Sequence, residues 1–278
     1  MVPCLSLSVA TGECSAAAGP TLGATADSFY EYLLKQHILT NEPGYREMWL
    51  QTFETAEASL AVKVDGMHLV RIGVASDHMD HLSCFWGGAV ALATMHGVLD
   101  RERGTRRAEE LTSGCYEAFY ARSPTGLSPD SVHWSHCPDD EGTANRARGL
   151  NPGAERGANE PFVCAAEANN RLRPETVESL FYTYRLTKKE IYREWGRRIL
   201  DAFLRHSEME PGSGRFANVR DVRQATNVQH VNQRDTFWTG ETLKYLYLLL
   251  SDRADLMPLD EWVFNTEAHP LRIRRPRR

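Results

Sequence analysis

Residues 173–206 read "RPETVESLFYTYRLTKKEIYREWGRRILDAFLRH". Two helical periods lie here, separated only by the polar step at Lys188–Glu190. Pro174 suits the first turn of a helix, where its missing N–H costs nothing. Glu175 and Glu178 follow at i and i+3 on one face, the face of Arg173, with Leu180, Phe181 and Tyr184 behind them. The second half repeats apolar positions at helical spacing and predicts the other arm of a helical hairpin.

Outward from this pair the chain keeps the same habit. Helical patterns cover residues 26–39, 45–64, 80–99, 106–122 and 235–252. Asp27-Ser28 supplies N-cap chemistry for the first of them. Residues 67–75, "MHLVRIGVA", are the one clear β stretch. Residues 138–161, rich in Pro, Gly, Asn and charge, read as a surface insertion. About seven helices in short-looped pairs predict an all-α fold of stacked hairpins, as a bundle, solenoid or toroid. No fixed-period sequence repeat accompanies them.

The 278 residues suffice for a large core, with 42% hydrophobic and 25% charged residues. A net charge of -5 argues against a general nucleic-acid binder. The basic run 272–278 reads as a solvated tail. No stretch reaches the ~18 apolar residues of a membrane helix, and the N-terminal residues do not read as a signal peptide. The six cysteines, Cys4, Cys14, Cys84, Cys115, Cys137 and Cys164, show no zinc spacing. His78, Asp80 and His81 in "SDHMDHL" match no strong zinc signature either.

Carboxylates at helix starts are the chemical theme. Asp27, Glu175 and Glu241 each fall in or near a first turn, where an acid also simply complements the helix dipole. Their neighbours add to this. Phe237 lies four residues before Glu241, so an aromatic ring and a carboxylate share a face. Rings that stack on apolar sugar faces, beside carboxylates that bond hydroxyls, are suited to carbohydrate. Residues 263–271, "VFNTEAHPL", crowd a hydroxyl, a carboxylate and an imidazole close to the end of the sequence.

Six blocks in order, "TLGATADSFYEYLLKQ", "MDHLSCF", "CYEAFYARSPTGLSPD", "RLRPETVESLFYTYRLTKKEIYREWGRRIL", "ETLKYLYLLLSD" and "VFNTEAHPL", resemble the class I α-1,2-mannosidases, glycoside hydrolase family 47. The resemblance runs from about residue 20 through nearly the whole chain and covers somewhat more than the C-terminal half of the family's catalytic domain. It implies a helical-hairpin toroid, part of a seven-pair (α/α) barrel with a small β element, whose C-terminal segment plugs the barrel. Residues 1–278 would form a single, incomplete catalytic domain.

The same resemblance implies inverting hydrolysis of terminal α-1,2-linked mannose on mannose-rich N-glycans, with Ca²⁺ as cofactor, in the endoplasmic reticulum or Golgi lumen. Glu175 matches the base that activates water, and Asp27 a second carboxylate of the catalytic centre. Arg173, Glu178, Glu241 and Glu267 match residues that bind the terminal mannose, and His81 and Phe237 match further sugar contacts. Thr266 matches the calcium ligand. Cys84 and Cys115 match an internal disulfide, and Cys137 and Cys164, flanking the insertion, are candidates for another.

Departures from the family pattern are visible. The family's general-acid glutamate belongs to a motif upstream of every block present. "FETAEASL", residues 53–60, looks like that motif but falls in the wrong order. The family's Met-Glu-Ser-Phe is here Arg234-Asp235-Thr236-Phe237. The chain alone is therefore expected to turn over mannosides poorly. A lectin-like binder of mannose-rich glycans is the alternative reading, and a purely structural helical-repeat protein the remote one.

Overall fold

The computed structural model describes residues 11, 20–24, 26–135, 163–253 and 256–274. The insertion at 138–161, Cys137 with its suggested pairing to Cys164, and the last four residues of the basic run lie outside the described residues. Helices dominate. They are α1 (Asp27–Thr40), α2 (Pro43–Ser59), α3 (Phe85–Met95), α4 (Arg101–Cys115), α5 (Glu175–Thr187), α6 (Ile191–His206) and α7 (Leu243–Leu250). α1 packs on α2, α3 lies between α4 and α5, and α5 also meets α6 and α7. Among the described residues no helix is long and apolar enough to cross a membrane.

Small residues bring α3 close to both neighbours. A Cβ on Gly87 would lie 2.6 Å from Thr112 Oγ1 and 3.1 Å from the Thr112 backbone nitrogen on α4. Gly88 donates its N–H to Ser179 Oγ on α5 at 2.7 Å. Thr112 and Thr183 then join α4 to α5 through a buried hydroxyl pair at 2.8 Å. Gly87→Ala is expected to break that pair and part the helices, at a cost of ~1–3 kcal/mol. Urea denaturation measures it, and an unchanged midpoint would mean that α4 yields freely.

Aromatic side chains fill the rest of the core. Trp49 and Phe53 of α2 stack on each other at 5.6 Å, and Trp49 also meets Trp86 of α3 at 5.6 Å. Full burial of side chains this large contributes roughly 1.5–3 kcal/mol each.

The β structure is more extensive than the single stretch expected. Four small antiparallel sheets are described. β1 (Ala61–Val64) pairs with β2 (Met67–Val70), and β3 (His78–Asp80), β4 (Ser131–His133) and β5 (Cys164–Glu167) form a three-stranded sheet. β6 (Asn218–Val219) pairs with β7 (His230–Val231), and β8 (Trp262–Phe264) with β9 (Pro270–Arg272). The helix expected over 45–64 stops at Ser59, because Asp65 and Gly66 take φ of +51° and +81° and turn the chain into a hairpin. The strand expected over 67–75 ends at Val70 for the same reason: its partner ends at Ala61. The helix expected over 80–99 begins as a 3₁₀ turn, His81–Cys84, and becomes α-helical at Phe85.

Two helix ends change pitch. Tyr116–Ala121, continuing α4, and Trp238–Thr242, leading into α7, are π-helical turns. Arg272, assigned above to a solvated tail, belongs to β9, where its guanidinium lies 6.0 Å from the Trp262 ring.

The C-terminal hairpin is organised by Asn265. Its Oδ1 accepts the N–H groups of Glu267 at 3.1 Å and His269 at 2.7 Å, and its N–H bonds His269 C=O at 2.9 Å. Ala268 completes the turn with φ of +55°. Phe264 anchors the stem against Phe181 of α5 and Tyr245 of α7. Lys244 Nζ donates to Ala268 C=O at 2.7 Å, and Thr266 N–H to Tyr32 Oη on α1 at 3.3 Å. The hairpin thus sits between α1 and α7, with Thr266 and Glu267 at its tip.

Candidate active site

The starts of α1 and α5 and the π-turn before α7 bring their acids together. Asp27 heads α1, although the N-cap position itself belongs to Ala26, which has no capping side chain. The Asp27 Oδ1 accepts the Ser28 N–H at 2.8 Å. Burial, opposed by that bond, and the nearby Glu175 and Glu31 raise its pKa above the usual aspartate value. Glu175 opens α5 three residues after Leu172, whose φ of +62° precedes the turn into the helix. Glu241 sits on the second π-turn and is buried.

His81 holds Glu175. Its Nδ1 lies 2.8 Å from Glu175 Oε2, while its Nε2 faces Thr176 Oγ1 at 2.9 Å and Tyr120 Oη at 3.2 Å. A carboxylate only accepts, so the ring hydrogen belongs on Nδ1 and the two hydroxyls serve Nε2. His81 is 0% exposed and packs edge-on against Phe119 at 5.2 Å. It was expected to touch sugar. In the structure both of its ring nitrogens are engaged inside the protein, one of them by Glu175. The neighbouring His78 bonds Asp80 at 3.1 Å.

Arg173 is held from two sides. Its Nε donates to Asp130 Oδ1 at 2.6 Å, and its guanidinium carbon lies 5.8 Å from the Phe237 ring centre. The Asp130 C=O also accepts the His81 N–H at 2.9 Å, so one loop residue fixes the positions of both groups flanking Glu175.

Below this level come Glu178 and Glu31. Burial, then Glu31 and Glu175, push Glu178 up to about 8, partly offset by Lys35. Burial, then Glu178, Glu175, Glu267 and Glu31, push Glu241 up to about 9. Asp27, Glu31, Glu175, Glu178, Glu241 and Glu267 thus share one field. Thr266, next to Glu267 in the chain, donates its N–H to Tyr32 Oη on α1 at 3.3 Å.

These raised values have a consequence for stability. Both carboxyls bind a proton more tightly folded than unfolded, so their contribution is complete below the ordinary glutamate range. It is lost as pH rises through about 8 to 9. In chelator the melting temperature is expected to fall from the ordinary glutamate range up to about 8 to 9 and to level off above it, and Glu241→Gln to flatten the decline. A flat wild-type profile would show that water reaches these groups.

The sequence-predicted Cys84 and Cys115 form a disulfide with Cα atoms 5.8 Å apart. It ties the turn carrying His81 to the end of α4. Glu54 and Glu57 of "FETAEASL" point elsewhere. Glu54 takes Arg103 at 2.8 Å and Glu57 takes Arg107 at 2.8 Å, both on α4. Glu31, Lys35, Tyr120, Asp130 and Thr176 escaped the sequence reading. For Glu31 and Lys35 the signal was present, since they follow Asp27 at i+4 and i+8 on one helix stripe.

Comparison with known proteins adds a second line. The sequence profile of Glycosyl hydrolase family 47 matches residues 2–273. The endoplasmic reticulum mannosyl-oligosaccharide 1,2-alpha-mannosidase of Homo sapiens is 38% identical over 263 residues, covering 92% of this chain and 35% of that protein. The mannosyl-oligosaccharide 1,2-alpha-mannosidase of Candida albicans is 36% identical over 276 residues, covering 90% of this chain and 46% of its own length. The chain therefore spans between a third and a half of these curated relatives. The solved alpha-1,2-mannosidase from Trichoderma reesei superposes with a TM-score of 0.80 at 23% identity, over 96% of this chain and 55% of that one, a likeness of fold.

Proposed function

The chain belongs to glycosyl hydrolase family 47, and from that premise we propose that it removes terminal α-1,2-linked mannose from mannose-rich N-glycans by inverting hydrolysis. The observation that carries this reading is Glu175, half-sheltered at a helix start and oriented by the buried His81. A base must present one oxygen to water in a fixed direction, and the His81 bond engages the other.

Asp27, close enough to Glu175 for the two charges to interact, would be the second carboxylate. Inversion requires a proton donor to the leaving oxygen and a base on the opposite side of the ring, with the carboxyl groups ~6.5–9.5 Å apart to admit water. Arg173, Glu178, Glu241 and Glu267 would bond the mannose hydroxyls, and Phe237, braced by Arg173, would take an apolar face of the ring.

Calcium fits the donor chemistry of the hairpin tip. Thr266 offers a carbonyl and a hydroxyl oxygen, and the surrounding carboxylates are oxygen donors too, the set a hard cation takes. Among the described residues no three His, Cys, Asp or Glu side chains could hold one ion directly. Water and sugar hydroxyls would therefore complete the shell around Thr266. Bound there, the ion would hold sugar hydroxyls and favour a distorted ring. The Cys84–Cys115 bridge accords with an oxidising compartment, the endoplasmic reticulum or Golgi lumen.

The test uses the purified chain, α-1,2-mannobiose and millimolar Ca²⁺. Calorimetry should show calcium-dependent binding that Thr266→Ala weakens, and mannose release should depend on Glu175. Absence of any mannobiose binding would overturn the proposal. Binding with no release would favour the lectin-like alternative.

A further inference from the structure

Three elements run polar stripes inward from the site. On α1 the stripe is Asp27, Glu31 and Lys35, at i, i+4 and i+8. On α5 it is Glu175, Glu178 and Tyr182, and on the segment entering α7 it is Glu241 and Tyr245. The stripes converge as they descend. Tyr245 Oη donates to Glu178 Oε1 at 3.2 Å, and Lys35 Nζ is ion-paired and hydrogen-bonded to Glu31. Lys35 is only 3% exposed, and Glu31, Glu178, Tyr182 and Tyr245 are buried around it.

A lysine in such a place is seldom incidental. Its ammonium is strongly hydrated in water, and losing that hydration is costly unless the charge is matched. Burial here pushes Lys35 down, yet Glu31, Tyr182 and Glu178 more than offset it and hold its pKa above the ordinary lysine value. Neighbouring acids on α5 and on the π-turn before α7, Glu175 and Glu241, add to the negative field above Glu178. Without a cation beneath them, the charge on Glu31 would hold the Glu178 proton to still higher pH.

We propose that Lys35 is a positioning residue for sugar binding: the buried counter-ion that holds Glu31 and Glu178 together as one rigid floor beneath the mannose site. It touches no substrate and acts through the two carboxyl groups. The proposal rests on the mannosidase reading for its sugar, but not for its electrostatics.

Carbon-13 NMR of glutamate-labelled chain separates the two. Glu178→Gln identifies the Glu178 carboxyl signal, which should titrate near about 8 in the wild type. In Lys35→Met that step is expected about one pH unit or more higher, because the favourable charge is gone. If Lys35→Met does not fold, the comparison moves to Glu31→Gln against Lys35→Met/Glu31→Gln. The double variant should keep the Glu178 proton to higher pH than the single one. Identical Glu178 titrations with and without Lys35, in whichever pair folds, would overturn the proposal.

With α-1,2-mannobiose, Lys35→Met should raise KM by roughly tenfold and change kcat far less, the mark of lost ground-state binding. A fall in kcat at constant KM would also overturn it. A wild-type chain that titrates as described but ignores mannobiose would overturn the mannosidase reading while leaving the counter-ion intact.

Discussion

Glu175→Gln is expected to lower mannose release from α-1,2-mannobiose by roughly 10²–10⁴-fold, the usual contribution of general base catalysis. The substitution keeps the shape of the side chain. The amide oxygen still accepts the His81 Nδ1–H, so the fold and the position of the group should survive. What disappears is the capacity to take a proton from water. Mannobiose binding should change only a few-fold, which separates this variant from one that damages the pocket.

Tyr120→Phe serves as the graded control. It removes one of the two hydroxyls that face His81 Nε2 and leaves the Thr176 hydroxyl in place. A lost hydrogen bond of ~0.5–1.5 kcal/mol corresponds to a few-fold to about tenfold loss. Single-turnover release by wild type, Glu175→Gln and Tyr120→Phe, at one calcium concentration, gives the ranking. Equal rates for Glu175→Gln and wild type would place the base elsewhere.

Removing the Cys84–Cys115 bridge, as Cys84→Ala/Cys115→Ala, should cost ~3–4 kcal/mol on the chain-entropy account of a loop this size. In a protein of this length that amounts to a melting temperature lower by roughly 10 °C. A second effect is local. Cys84 closes the same 3₁₀ turn that carries His81, and Ser179 Oγ donates to its carbonyl. Opening the bridge should therefore loosen the holder of Glu175 and reduce turnover even well below the melting point. Urea unfolding with and without reductant, followed by assay of the reduced chain, measures both. An unchanged unfolding midpoint would mean that packing of α3 between α4 and α5 fixes the turn without help.

The helical hairpins were legible in the sequence because each helix carries a regular apolar period, most plainly in residues 173–206. The acids at helix starts were legible through their positions beside aromatic residues. The β1–β2 hairpin was legible too, in the Asp65-Gly66 step between Val64 and Met67, but the helical period of residues 45–59 was carried past it. The role of His81 could not be read locally. Its partners lie 39, 94 and 95 residues away, and only the fold joins them. Lys35 shows the same limit in another form. Its place at i+8 from Asp27 is visible in the sequence, but only the burial of that stripe shows that it faces inward.

The π-turn at Trp238–Thr242 sets a rule for what this segment tolerates in evolution. A π-turn holds one residue more than the α-helical turn it replaces. Deleting Thr239 or Gly240 would relax the backbone into regular helix. The segment would become one residue shorter, a change that surface helices absorb easily. Side chains on either side of the deletion would keep their facing, because the π-turn takes up its extra residue within a single turn. Phe237 and Glu241 would then stand three positions apart instead of four and would still share a face. The stretch can therefore absorb the loss of one residue and no more: a second deletion, from what is by then regular helix, would turn Glu241 about 100° away from Phe237.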